Sequence, residues 1–75
     1  MSDLDTQLLR AHEAGDREAL WRLYLQAGEA REAAQDIDAA CFYFTHAFVF
    51  ALEAGSPEAA LINQILVKYG REEPL

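Results

Sequence analysis

Three side chains in this 75-residue sequence are of the kinds that make bonds or hold metals: His12, Cys41 and His46. A thiol nucleophile needs a histidine on its own side of a helix. Cys41 and His46 are five positions apart, about 140° around a helix, so they share no face. No Cys–His pair is expected, and Cys41 reads as a small buried residue. No lysine or arginine stands between Arg31 and Lys68. Nothing along the chain favours a thiolate there, and Cys41 is expected to be inert. His12 and Asp16 have an i,i+4 spacing suited to sharing a metal. Two ligands make a poor site, however, and Asp16 suits a helix N-cap better. His46 reads as a polar residue at a helix contact, bonded to Thr45 or to a backbone carbonyl. The carboxylate pairs Glu29/Glu32 and Asp36/Asp38 read as surface and turn features. Glu29 and Glu32 read as a solvated face, with an acidic contact for a basic partner as the functional alternative. The four glycines are scattered singly, which leaves no glycine-rich phosphate loop. No catalytic residue, metal or cofactor is therefore expected.

Charge narrows the partners. Thirteen Asp and Glu against six Lys and Arg give a net charge of -7. Nucleic acid and anionic membranes both call for a basic surface, so neither is an expected partner. The longest apolar run, Ala39 to Leu52, is interrupted by Thr45 and His46. It falls short of the roughly 20 residues that a membrane span needs and reads as a buried helix. The segment Met1-Ser2-Asp3-Leu4-Asp5 has neither the basic nor the apolar region of a secretory signal. With a single cysteine, this makes a cytoplasmic location the expectation.

The elements that carry these residues are helices. Fourteen residues are alanine, whereas Val and Thr occur twice each and Ile three times. Helix formers dominate and strand formers are scarce. Ala14-Gly15-Asp16, Ala34-Gln35-Asp36 and Ala54-Gly55-Ser56 each offer a helix stop followed by a capping residue, at intervals of twenty. Glu13-Ala14-Gly15-Asp16-Arg17-Glu18-Ala19 also matches Glu53-Ala54-Gly55-Ser56-Pro57-Glu58-Ala59, an internal repeat with a period of forty. Pro57 suits the first turn of the last helix. Glu18, Asp38 and Glu58 suit first turns, where negative charge meets the positive end of the helix dipole. The spacing predicts helices over 3–14, 17–34, 37–54 and 57–69. Their short connections make neighbours antiparallel. Residues 1–70 form one all-α domain, and 71–75 a flexible C-terminal tail.

Helical periodicity then assigns faces. The first helix is expected to bury Leu4, Leu8, Leu9 and Ala11. In the second, Leu20, Leu23, Ala27, Ala30 and Ala34 form the main stripe, with Trp21, Tyr24, Leu25 and Gly28 beside it. Gly28 marks either a close helix crossing or a break, since glycine inside a helix costs about 1 kcal/mol relative to alanine. The third helix is apolar nearly all round, with Ala40, Ala47, Ala51 and Ala54 flanked by Tyr43, Phe44, Phe48 and Phe50. Phe42 and Val49 point the other way, among Asp38, Thr45, His46 and Glu53. A helix of that kind lies at the centre of a domain or at a subunit contact. The fourth sets Leu61, Ile62, Ile65, Leu66 and Tyr69 against Asn63, Gln64 and Lys68.

Gly28, Ala40, Phe44 and Ala47 form a small–alanine–aromatic–alanine series that resembles tetratricopeptide repeats. Gly15, Ala19 and Leu23 resemble the opening of a Sel1-like unit. Residues from about 9 to 66 are covered, roughly one and a half repeats. The resemblance implies short helical-hairpin repeats that act as a protein-interaction scaffold without catalysis. It also implies a concave surface lined by the first helix of a pair, pointing to Trp21, Tyr24 and Leu25. Phe42 and Val49 extend the expected interaction surface. The partner is another protein or the chain itself as a symmetric homodimer. The alternative is a structural subunit of a larger complex with no independent binding groove.

Overall fold

Helices form where the caps and stops placed them. The computed structural model describes residues 3–75; Met1 and Ser2, part of the segment read for a signal, lie outside the described residues. Helix α1 is Asp3–Ala14, α2 Arg17–Ala33, α3 Ile37–Glu53 and α4 Glu58–Lys68. No strand occurs among the described residues, and the chain is all-α. The Asp16 carboxylate accepts from Ala19 N–H at 3.1 Å, and Asp36 accepts from Ala39 N–H at 3.3 Å. Each satisfies a donor that the first turn leaves open. One start differs from expectation. α4 begins at Glu58, with Pro57 just outside it. The Ser56 hydroxyl takes the Glu58 N–H at 3.2 Å.

All four helices end in the same way. The N–H groups of Gly15, Gln35, Gly55 and Gly70 reach back three residues. Those of Asp16, Asp36, Ser56 and Arg71 reach back five. This is the Schellman pattern, which places one residue in the left-handed region. Three of those residues are glycines, but the fourth is Gln35, with φ of 63°. A side chain there costs about 1–2 kcal/mol. Gln35→Gly is expected to raise stability by about 0.5–1 kcal/mol, the lost strain being partly offset by a freer unfolded chain. Urea melts of the two proteins measure this, and an unchanged or lower midpoint would remove Gln35 as a strained stop.

The helices pack in series: α1 on α2, α2 on α3 and α3 on α4. The result is a slab of 31 × 29 × 12 Å. Gly28 of α2 lies under Phe44 of α3, and Tyr24, further from the turn, lies against Phe50. That ordering makes α2 and α3 antiparallel. Gly28 therefore marks a close crossing, and α2 runs through it unbroken. The core is built around α3, from Ala40, Cys41, Phe44, Ala47, Phe48 and Ala51, with Trp21 of α2 and Ala59, Ile62 and Leu66 of α4.

Three predicted faces are rotated. On α2 the buried residues are Leu20, Trp21, Ala27 and Gly28, while Ala30 and Ala34 are exposed. Two neighbours, α1 and α3, claim α2 from different sides, so its buried arc takes in the second apolar region. On α1 only Ala11 is buried, and Leu9 is exposed. On α4 Leu61 is exposed, whereas Asn63 is buried and donates to the Glu73 carbonyl at 3.1 Å. Residues 71–75 carry no helix, as expected, yet they return along α4, and this return covers the amide. Arg71 reaches α3 as well, pairing with Asp38 at 2.5 Å.

Candidate functional site

The five residues expected on the interaction surface divide between core and surface. Trp21 is 6% exposed and belongs to the core. Its indole N–H donates to Glu18 at 3.0 Å, and Arg22, itself paired with Glu18, lies 5.4 Å from the ring centre. Trp21 thus offers little surface to a partner, because α2 is rotated towards the core on that side. Tyr24 and Leu25 are half-buried. Phe42 and Val49 are exposed, at 59% and 46%.

Tertiary packing gathers an aromatic platform that periodicity alone did not assemble. Tyr24 of α2 is its centre. On one side its hydroxyl shares a 2.8 Å hydrogen bond with His12 Nε2 of α1. On the other its ring stacks with His46 of α3 at 5.1 Å between centres. Phe50 lies parallel to Tyr24 at 5.8 Å and edge-on to His12 at 5.7 Å. Phe42 extends the platform beyond His46 at 4.6 Å and meets Tyr43 edge-on at 5.5 Å. Both histidines of the chain are therefore joined through one tyrosine. Of the two partners expected for His46, Thr45 or a backbone carbonyl, the carbonyl is found: Nδ1 lies 2.9 Å from the Phe42 carbonyl oxygen. A carbonyl only accepts, so Nδ1 carries the proton and donates. Thr45 likewise turns back to the Cys41 carbonyl at 2.8 Å. The ring-bearing residues were legible in the sequence; their assembly into one platform, with His12 supplied by α1, was not, because the distance between helices is set by packing.

Beside the platform runs an exposed stripe of α3: Phe42, Thr45, Val49 and Leu52. The steps of three, four and three residues are those of a coiled-coil seam. An ion pair closes each end. Asp38 pairs with Arg71, and Glu53 pairs with Arg17 of α2 at 3.4 Å.

The chemistry-bearing residues outside this surface are buried or serve the fold. Cys41 is buried, at 3% exposure. Asp16 caps α2, as expected. Glu32 departs from the expected solvated face. It accepts from the Tyr69 hydroxyl at 2.5 Å, with Lys68 at 4.0 Å, and so ties α2 to the end of α4. Among the described residues, no three His, Cys, Asp or Glu side chains come together as a metal site. An open groove of about 630 Å³ lies between α1 and α2, with Ala11, Ala14, Ala19 and Leu23 among its lining and charges of both signs at Arg10, Arg22, Asp16 and Glu18.

Two phenols hold their protons above the ordinary range. For Tyr24 the main cause is burial, followed by Tyr43. For Tyr69 it is the hydrogen bond to Glu32, then burial. The unfolded chain loses these protons near pH 10. The native state keeps them to higher pH, so ionisation favours unfolding. Their contribution is complete below about pH 10 and is lost as pH rises through the raised values. The thermal midpoint should fall with alkaline pH, and fall less steeply in a Tyr24→Phe/Tyr69→Phe variant. Equal slopes for the two proteins would contradict the assignment.

Comparison of the chain with protein-family models, curated proteins and solved structures finds no match to any of the three. The functional reading therefore rests on this surface.

Proposed function

We propose that this chain is a small non-catalytic protein-interaction module. Its binding face is the aromatic platform around Tyr24 together with the α3 stripe through Phe42 and Val49. The observation that carries the reading is the placement of large apolar side chains in water on the helix that also forms the core. Phe42, Val49 and Leu52 are 59%, 46% and 52% exposed, all on one side of α3. Aligned apolar exposure of this kind is characteristic of contact sites, and aromatic residues are enriched in interface cores. The tetratricopeptide-like resemblance of the sequence points the same way, since such arrays bind proteins along an extended surface. No described helix is long and apolar enough to cross a membrane. The -7 charge speaks against a polyanion as the partner.

Photo-crosslinking in the source cells tests the reading. A photoreactive residue is placed at Phe42, at Val49 or, as a control, at exposed Glu29. The expected result is one discrete protein adduct common to positions 42 and 49 and missing at 29. Adducts absent from both test positions, or identical at all three, would overturn it.

A further inference from the structure

The α3 stripe has a property that an arbitrary sticky patch lacks: its spacing reads the same in both directions. Phe42, Thr45, Val49 and Leu52 are separated by three, four and three residues. Turned end for end and laid on itself, the stripe places Phe42 opposite Leu52 and Thr45 opposite Val49. A two-fold contact requires this self-complementarity, since each residue must meet its counterpart twice. We propose that the occupant of the stripe is a second copy of this chain, with the two α3 helices crossing antiparallel about the midpoint between Thr45 and Val49. The proposal rests on the interaction reading above and names the partner.

Charge favours a second copy over a basic protein. Two chains of -7 repel wherever their acids are free. On this side of α3 the acids are Asp38 and Glu53, and each already carries an arginine, Arg71 and Arg17 respectively. A basic partner would have to compete with an arginine at each carboxylate. A like-charged copy finds a neutral apolar strip closed by one ion pair at each end. In the antiparallel arrangement, the Asp38–Arg71 end of one copy approaches the Glu53–Arg17 end of the other, so positive and negative groups alternate. The size of the molecule allows such a contact: a stable dimer buries about 800 Å² per partner, and the chain extends over 31 × 29 × 12 Å. The stripe supplies the centre of such a contact, and the neighbouring surface its rim.

Two exposed substitutions test both the partner and the register. Phe42→Lys and Leu52→Glu each put a charge against an apolar residue at both symmetry-related contacts. In an antiparallel mixed dimer, the new lysine faces the new glutamate at one contact, and the unaltered phenylalanine faces the unaltered leucine at the other. Light scattering at micromolar concentration should give the wild type twice the chain mass of 8.4 kDa. Each variant alone should give a single chain mass, with unchanged far-UV circular dichroism. An equimolar mixture should return to the doubled mass. Dimers unaffected by either variant would place the contact elsewhere and overturn the proposal. Variants that dissociate but do not recover on mixing would overturn the antiparallel register. A monomeric wild type would overturn the second copy as occupant, and a foreign-protein adduct from position 42 would then leave the interaction reading standing. A monomeric wild type with no adduct would remove both.

Discussion

Replacing Phe44 by alanine should leave the chain largely unfolded or molten. Phe44 has no exposed surface and is the largest fully buried side chain. It lies against Gly28 of α2 and within the cluster that joins α3 to α4. Its removal takes the filling from the position where three helices are held together. Truncation of a buried aromatic costs about 3–5 kcal/mol, comprising lost transfer free energy and the cavity left behind. At about 0.05–0.15 kcal/mol per residue, a domain of this size has only about 4–11 kcal/mol in all. The serial packing sharpens the effect, because α3 is the main support of both α2 and α4. Urea denaturation followed by circular dichroism should show a midpoint near zero denaturant or a broad, non-cooperative loss. A melt that overlays the wild type would place Phe44 outside the structural core.

Gly28→Ala is the complementary test, adding atoms where Phe44→Ala removes them. In an exposed helix the change would stabilise by about 1 kcal/mol through propensity. Here a β-carbon would come within 2.5 Å of two Phe44 ring carbons. The ring is fully enclosed and cannot swing into solvent, so the helices must separate or the ring must leave its rotamer. Overpacking of this kind costs about 1–3 kcal/mol. The clash should outweigh the propensity gain and lower stability by up to about 2 kcal/mol. A Phe44→Leu background, with a smaller side chain under the new methyl, should relieve much of the loss. Coupling between touching residues is commonly about 0.5–3 kcal/mol. A Gly28→Ala protein more stable than the wild type would show that the crossing is loose and that propensity dominates.

What could be read along the chain was whatever depends on a few consecutive residues. Asp16 and Asp36 cap because a carboxylate reaches an N–H three residues on. Gly15, Gln35 and Gly55 stop helices because one residue must turn left-handed, and the recurrence at twenty set the four elements to within a residue at either end. The central place of α3 followed from its nearly continuous apolar surface, and the exposure of Phe42 and Val49 followed from their position among polar neighbours. Tertiary structure decided what depends on distances between helices. Trp21 and Asn63 are inside, and Leu9 and Leu61 outside, because a neighbour covers an arc whose centre periodicity fixes only to within about one residue, or 100°. Glu32 left the solvated face because Tyr69, 37 positions away, comes within bonding distance of it. His12 joined His46 through Tyr24 for the same reason: three helices had to close on one another before their rings could meet.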